Sequence, residues 1–513
     1  MNDHVSSIYK RLSGTIVASV IRGLTNLVIG LWLARWLGPN DYGRLAYLTG
    51  LFSSVRQLLD LGTSSAFFTF LSQNQPTSFF VNSYYLFLAF QYCICLVIIE
   101  LVNRTSAGSK IWLGEESEIV QLAFTAVFFQ GTVWSVVQQA AESQRRTIWI
   151  QCISVGTSLV HASSLFVLFK FLKFGIEKIF AVQSILYLIA SLISQVGFKY
   201  INDIGSLKLR ERVVEIWKKY WRYCQPLVFY SIVSFGYDFL DRWMLQTFSG
   251  STEQAYYLIS TQFSSVALVA TVSILKIFWK EIAEANKTGN LQRIKILYRR
   301  VSRTLFLTGS TLACFLSPWS TEIVKIVYGE NYSQSSSTMA IMFFYPIHQS
   351  MGQIVGIMLL ATEKVNAKVR IGLVFMIISM IASYILVAPP SALVPGMGLG
   401  AIGLAIKMCA MQVLQVNIIA YYIAKEWKFE FEWKYQITTI CCLLFLGFST
   451  KLCVSFVISQ HLPSVLSMLI SGFIYLIATF IIIQKSPNVF GINSDDLEFI
   501  KKRFNKYKSV SIS

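Results

Sequence analysis

Fourteen stretches of about 18 or more mainly apolar residues recur along the chain, separated by short polar breaks. They fall near 14–36, 44–72, 79–102, 117–140, 147–172, 177–199, 223–247, 252–279, 301–327, 335–362, 367–388, 397–424, 435–457 and 463–484. Roughly 20 helical residues cross the hydrocarbon of a bilayer, so each stretch predicts a transmembrane helix. The eighth and ninth grade into charged amphipathic sequence at their ends. The first reads as an uncleaved anchor, because it exceeds the apolar core of a signal peptide and lacks an A-x-A-like site. The expected fold class is therefore an all-α integral membrane protein of about 14 transmembrane helices.

Composition and charge sharpen this picture. With 54% hydrophobic and 14% charged residues in 513, the chain is far from soluble-protein norms. Placing the N-terminus in the cytoplasm puts 31 of the 44 Lys and Arg on inside segments and nine on outside loops, with four left in the membrane. Lys and Arg favour the cytoplasmic side, so both termini are expected there. The net charge of +18 is then juxtamembrane anchoring to anionic lipid rather than a nucleic-acid footprint. Nine cysteines form no CxxC pair and no metal-ligand spacing, and no cofactor is expected. His161 and His348 are lone polar residues on membrane helices, as packing partners or as members of a cavity.

The chain divides at its inside loops. The expected domains are a six-helix bundle (1–200), a cytoplasmic amphipathic linker (201–222), a second six-helix bundle (223–425), two additional helices (426–485) and a basic tail (486–513). In the linker, Val213, Val214, Trp217 and Trp221 can share one helical face, which suits an interfacial helix or a tether that joins the two bundles. Residues 35–55 align without gaps to 246–266 at an offset of 211, and FSSV is the identical run. Six helices per half gives two parallel repeats, with a substrate cavity between them.

Charges inside the apolar stretches carry the candidate chemistry. Arg22 lies mid-stretch with no acid within a helical turn, and such a cation costs about 2.5–3.5 kcal/mol at helix centre. Charges kept there mark a path or site for something charged. Thr15, Ser19, Arg22 and Asn26 fall on one helical face, and Thr49, Ser53, Arg56 and Asp60 repeat the pattern on the next helix. Two such stripes can line one aqueous cavity, although Arg56 can also pair with Asp60 at i,i+4. On the seventh helix Asp238 and Arg242 are four apart and can pair, leaving Asp241 to bind a proton or cation, or to bridge to Arg22, Arg56 or Lys407. Lys407 is a fourth buried cation. Gln130, Gln138, Gln139 and Gln183, with Trp134, suit sugar hydroxyls and ring faces or act as interhelical glue.

LARWLGPNDYGRLAYLTG followed by LLDLGTSSAF resembles the opening signature of the polysaccharide and O-antigen flippases of the multidrug/oligosaccharidyl-lipid/polysaccharide exporter superfamily. YDFLDRWMLQTFSG and IVKIVYGENYSQSSSTMAIM extend the resemblance. It implies two six-helix bundles around a central cavity, set in the inner (plasma) membrane. The implied task is turning over undecaprenyl-pyrophosphate-linked oligosaccharide from the cytoplasmic to the outer leaflet. The cationic cavity would comprise Arg22, Arg56, Arg242 and Lys407, with Asn26 beside them. Asp241, Asp60 and Asp238 would serve a coupling proton or sodium ion. Implied partners are the lipid-linked oligosaccharide, membrane lipid, and a polymerase and glycosyltransferases of the same pathway.

Two other classes compete. A cation-coupled multidrug exporter of the same superfamily would share the fold, but usually has twelve helices and an acidic or apolar pocket. A membrane polysaccharide polymerase or glycosyltransferase would need a sizeable catalytic loop, and the longest outside loop offers Glu115 and Glu116 in little space. No G-x-x-x-x-G-K-[ST] sequence is present to bind ATP phosphates.

Overall fold

The computed structural model describes residues 2–73, 78–171, 175–198, 209–269, 271–428, 430–431, 433–457 and 463–490. Residues 201–208 of the expected linker and 491–513 of the basic tail lie outside them, as does the side chain of Val213. The described residues are mainly helical and include no strand. The fourteen apolar stretches all lie mainly in helix, and among the described residues nine helices meet strict length and hydropathy limits for crossing a membrane.

Two helices are longer than any single crossing. Asn2–Asp60 folds at Gly38 (φ 74°, ψ 173°) and Leu209–Val269 at Gly250 (φ 84°, ψ 178°). Positive φ with ψ near 180° is almost closed to residues bearing a Cβ, so both bends need glycine. The two bends share one geometry at an offset of 212, one residue beyond the gapless match. Gly38→Ala and Gly250→Ala are each expected to cost about 1–3 kcal/mol. Nothing lies within 4 Å of either Cβ position, so backbone strain is the sole source. A lowered thermal midpoint in detergent is the measurement.

The second apolar stretch is two helices rather than one. Its first part ends at Asp60, the chain turns through Leu61 (φ 45°) and Gly62 (φ 85°), and Thr63–Gln73 begins. Asp60 caps this restart: Ser64 donates its backbone N–H to Oδ1 at 2.9 Å and its hydroxyl to Oδ2 at 3.0 Å. A carboxylate at a helix start meets otherwise orphaned N–H groups.

Packing groups the chain into two compact units, Met1–Leu258 with Met376–Ala401, and Ile259–Phe375 with Ile402–Ser513. The seventh helix thus packs with the first six, a grouping different from the sequence halves. In the first unit an aromatic core gathers Phe67, Phe80, Tyr84 and Tyr220. On the described part of the linker, Trp217 packs on Phe87 at 4.8 Å between centroids, whereas Val214 and Trp221 are 58% and 62% exposed. Residues from Leu209 onward begin the long helix that continues to Gly250.

In the second unit the last two membrane helices, Lys434–Val457 and Ser464–Lys485, pack on Leu291–Leu316. Gly447 lies against the carbonyl of Cys314, and Tyr475 donates to the carbonyl of Thr311 at 3.1 Å. The start of the expected tail folds back as Pro487–Phe490, where the carbonyl of Val489 accepts from Thr439 at 3.0 Å.

Candidate functional site: a polar seam in the first unit

Helix Ser117–Val127 runs into a π turn, Phe128–Val133, before resuming as Trp134–Ser143. A π turn breaks the regular i→i−4 bonding and releases carbonyls for other donors. Here Arg56 Nη1 donates to the carbonyl of Gly131 at 2.5 Å. A Cβ on Gly131 would lie 2.6 Å from Arg56 Cδ, so the glycine supplies the space for the arginine. Arg56 is held by this turn, while Asp60 is occupied with its cap.

The neighbouring residue of the turn extends the seam. Gln130 Nε2 donates to the Tyr187 hydroxyl at 3.0 Å, and Gln183 Nε2 donates to Gln130 Oε1 at 2.5 Å. Tyr187 and Gln183 stand on helix Ile176–Val196, beside His161 and Trp134 at 6.1 and 6.3 Å between ring centroids. Arg22 joins from the first helix. It is half-buried, steadied by Ser19 Oγ at 3.3 Å and by the carbonyl of Ala18 at 3.4 Å, and it interacts electrostatically with Tyr187 and Glu142. Glu142 comes from another helix, which a search along the Arg22 helix alone does not reach. Asn26, one turn on, is exposed.

Several buried polar atoms around this seam have no partner among the described residues: Thr132 Oγ1, Gln139 Oε1, Gln151 Oε1, Ser158 Oγ and His161 Nε2. Buried polar groups are normally satisfied, so this bundle interior retains hydrogen-bonding capacity. Gln138 is instead spent on Ser154 at 2.9 Å, as interhelical glue. His348, in the second unit, is a bonded packing residue, 3.2 Å from Gln436 Oε1.

The seventh helix brings a second polar group to the same unit. Asp241 is 7% exposed and accepts a hydrogen bond from the Ser383 hydroxyl; Ser383 stands on helix Val365–Val387. Tyr237 lies in the field of Asp241 and Asp238. Arg242, the next residue, spreads its guanidinium over Gly50, where any Cβ would collide with it. Adjacent residues thus address different helices. Lys407 stands in the second unit, fully buried, with Nζ 3.7 Å from Met408 Sδ.

Sequence reasoning found the charges and the glutamines but missed Gly50, Gly131, Tyr187, Glu142 and Ser383. Glycines that admit a cation have no signature of their own. The fusion of Phe128–Val133 into a π turn likewise leaves no mark in composition. At the far end of the unit, Glu115 forms a two-pronged bond to Arg44, at 2.6 and 2.7 Å.

No family model matches the sequence, and no curated protein matches it. Solved structures do. A lipid II flippase, MurJ, in an inward-closed conformation is similar with a TM-score of 0.68 at 14% identity, covering 92% of this chain and 99% of that one. An inward-facing multidrug resistance MATE family transporter of the MOP superfamily gives 0.58 at 16%, covering 79% and 95%. A MOP superfamily transporter from Pyrococcus furiosus gives 0.51 at 14%, covering 83% and 96%. At these identities the likeness establishes architecture: this multi-helix membrane chain has the fold of MOP-superfamily transporters.

Proposed function

We propose that the protein is a flippase for undecaprenyl-pyrophosphate-linked oligosaccharide, an O-antigen, capsule or exopolysaccharide repeat unit. It moves this substrate from the cytoplasmic to the outer leaflet of the inner membrane by ion-coupled alternating access, with both termini cytoplasmic. The observation that carries the reading is Arg56 seated on the π-turn carbonyl beside the Arg22, Tyr187, Gln130 and Gln183 group.

The chemistry of the substrate explains the fit. A pyrophosphate diester bears about two negative charges, and unpaired ions cost many kcal/mol in hydrocarbon. Guanidinium forks meet phosphate oxygens two at a time. Amide side chains and aromatic rings suit the sugar hydroxyls and ring faces that follow. Arg22 and Arg56 contact the pyrophosphate in this reading, with Asn26, Arg242 and Lys407 contributing charge or polarity along the path. Asp241 is the coupling carboxylate and Asp238 its neighbour. Asp60 acts in the fold as a helix cap. The fold alone serves multidrug exporters equally well, and the cationic seam favours an anionic cargo.

Arg22→Ala is expected to abolish surface glycan while lipid-linked precursor accumulates in the cytoplasmic leaflet and protein level stays normal. Arg22→Lys is expected to rescue only partly, since a point charge replaces a fork. Immunoblotting of surface glycan with lipid extraction measures both. Unchanged surface glycan in Arg22→Ala removes this residue from the site.

A further inference from the structure

The second unit contains an open cleft that the transport reading does not use. Lys295, Arg299 and Arg303 line it at i, i+4 and i+8 of helix Leu291–Leu316, so one helical face points three cations into it. Phe431 and Tyr435 form part of the facing wall, and Arg303 lies 5.5 Å from the centroid of the Tyr435 ring. Among the described residues that line the cleft there is one carboxylate, Glu430. Ser302 is 4% exposed, and its hydroxyl has no partner among the described residues.

The surroundings fix its depth. Ile296, Ile437 and Tyr421 are 54%, 54% and 56% exposed, and Trp433 is 48% exposed. Apolar side chains left uncovered on a membrane protein face lipid, and Trp and Tyr collect at headgroup level. Lys425, Lys428 and Lys434, all exposed, follow on the adjoining connection. Basic pockets between membrane helices at this depth take phosphate headgroups.

We propose that this cleft binds a phosphate group, and that its source is the headgroup of an anionic phospholipid in the leaflet that the charge partition makes cytoplasmic. Arg299 and Arg303 hold the phosphate oxygens, Lys295 adds charge at the mouth, and the Ser302 hydroxyl donates. The acyl chains lie along the exposed apolar surface beside Ile296 and Ile437. This rests on the membrane fold and not on the identity of the transported substrate.

The test uses the full chain in phosphatidylcholine nanodiscs with and without phosphatidylglycerol, and native mass spectrometry reads the phosphatidylglycerol retained. Each cation near the surface strengthens such binding about fivefold, so Arg299→Gln with Arg303→Gln is expected to weaken retention about thirtyfold. Arg300→Gln, adjacent but outside the lining, is expected to retain as wild type does. If the double variant does not purify as a folded protein, Lys295→Gln alone is expected to weaken retention about fivefold. Equal retention by wild type and the cleft variants overturns the proposal. In a parallel arm, inorganic phosphate is titrated calorimetrically into phosphatidylcholine nanodiscs. Tight, Arg299- and Arg303-dependent phosphate binding without selective phosphatidylglycerol retention assigns the cleft to soluble phosphate and overturns the lipid source.

Discussion

Asp241→Asn is expected to abolish the response of transport to imposed proton or sodium gradients, with folding preserved. Asparagine keeps the shape and still accepts from the Ser383 hydroxyl, so the buried bond to helix Val365–Val387 can persist. What disappears is the charge. A coupling proton or cation would act by neutralising that charge. An ion biases two conformations only through its different affinity for them, so under the proposed function this charge couples gradient to movement. Substrate counterflow in proteoliposomes with pH or sodium gradients measures the effect. Wild-type rate with normal response to both gradients would make Asp241 a structural partner of Ser383 and place coupling elsewhere.

Gly131→Ala is expected to lower transport ten- to hundredfold without removing any charge. The new methyl carbon would sit 2.6 Å from Arg56 Cδ, so the arginine must leave its seat and lose the carbonyl of the π turn. Hydrogen bonds to charged groups contribute about 1.5–3 kcal/mol, which converts to that range of rate if the seat orients Arg56 for the substrate. Arg56→Ala should be at least as severe, and the double variant no worse than Arg56→Ala alone, because both act through one contact. Full additivity in that cycle, measured as surface glycan per unit of protein, would separate Gly131 from Arg56.

Much of the fold was legible because the bilayer imposes a simple rule on sequence. A helix must stay apolar for about 20 residues, and all fourteen such stretches are mainly helical. The FSSV match also led close to a real correspondence, missing by one residue the glycines that bend both long helices alike. The break inside the second stretch was not read: the chain turns through Leu61 and Gly62, both at positive φ, with Asp60 capping the helix that follows. Hydrophobicity does not say what covers a side chain: of Val214, Trp217 and Trp221, Trp217 packs on the aromatic core and the other two are exposed. At the candidate site the charges stood out by their cost in hydrocarbon. Their seats did not, since Gly50 and Gly131 contribute by having no side chain.

The π turn at Phe128–Val133 also works as a gear. It holds one residue more than the α turn it replaces, and one residue is about 100° of helix rotation. Trp134–Ser143 is therefore clocked by that angle relative to an uninterrupted helix. Migration of the extra residue along the helix would swing Gln130 off Tyr187 and withdraw the Gly131 carbonyl from Arg56 in the same stroke. Torsion of this one helix would thus also release the guanidinium.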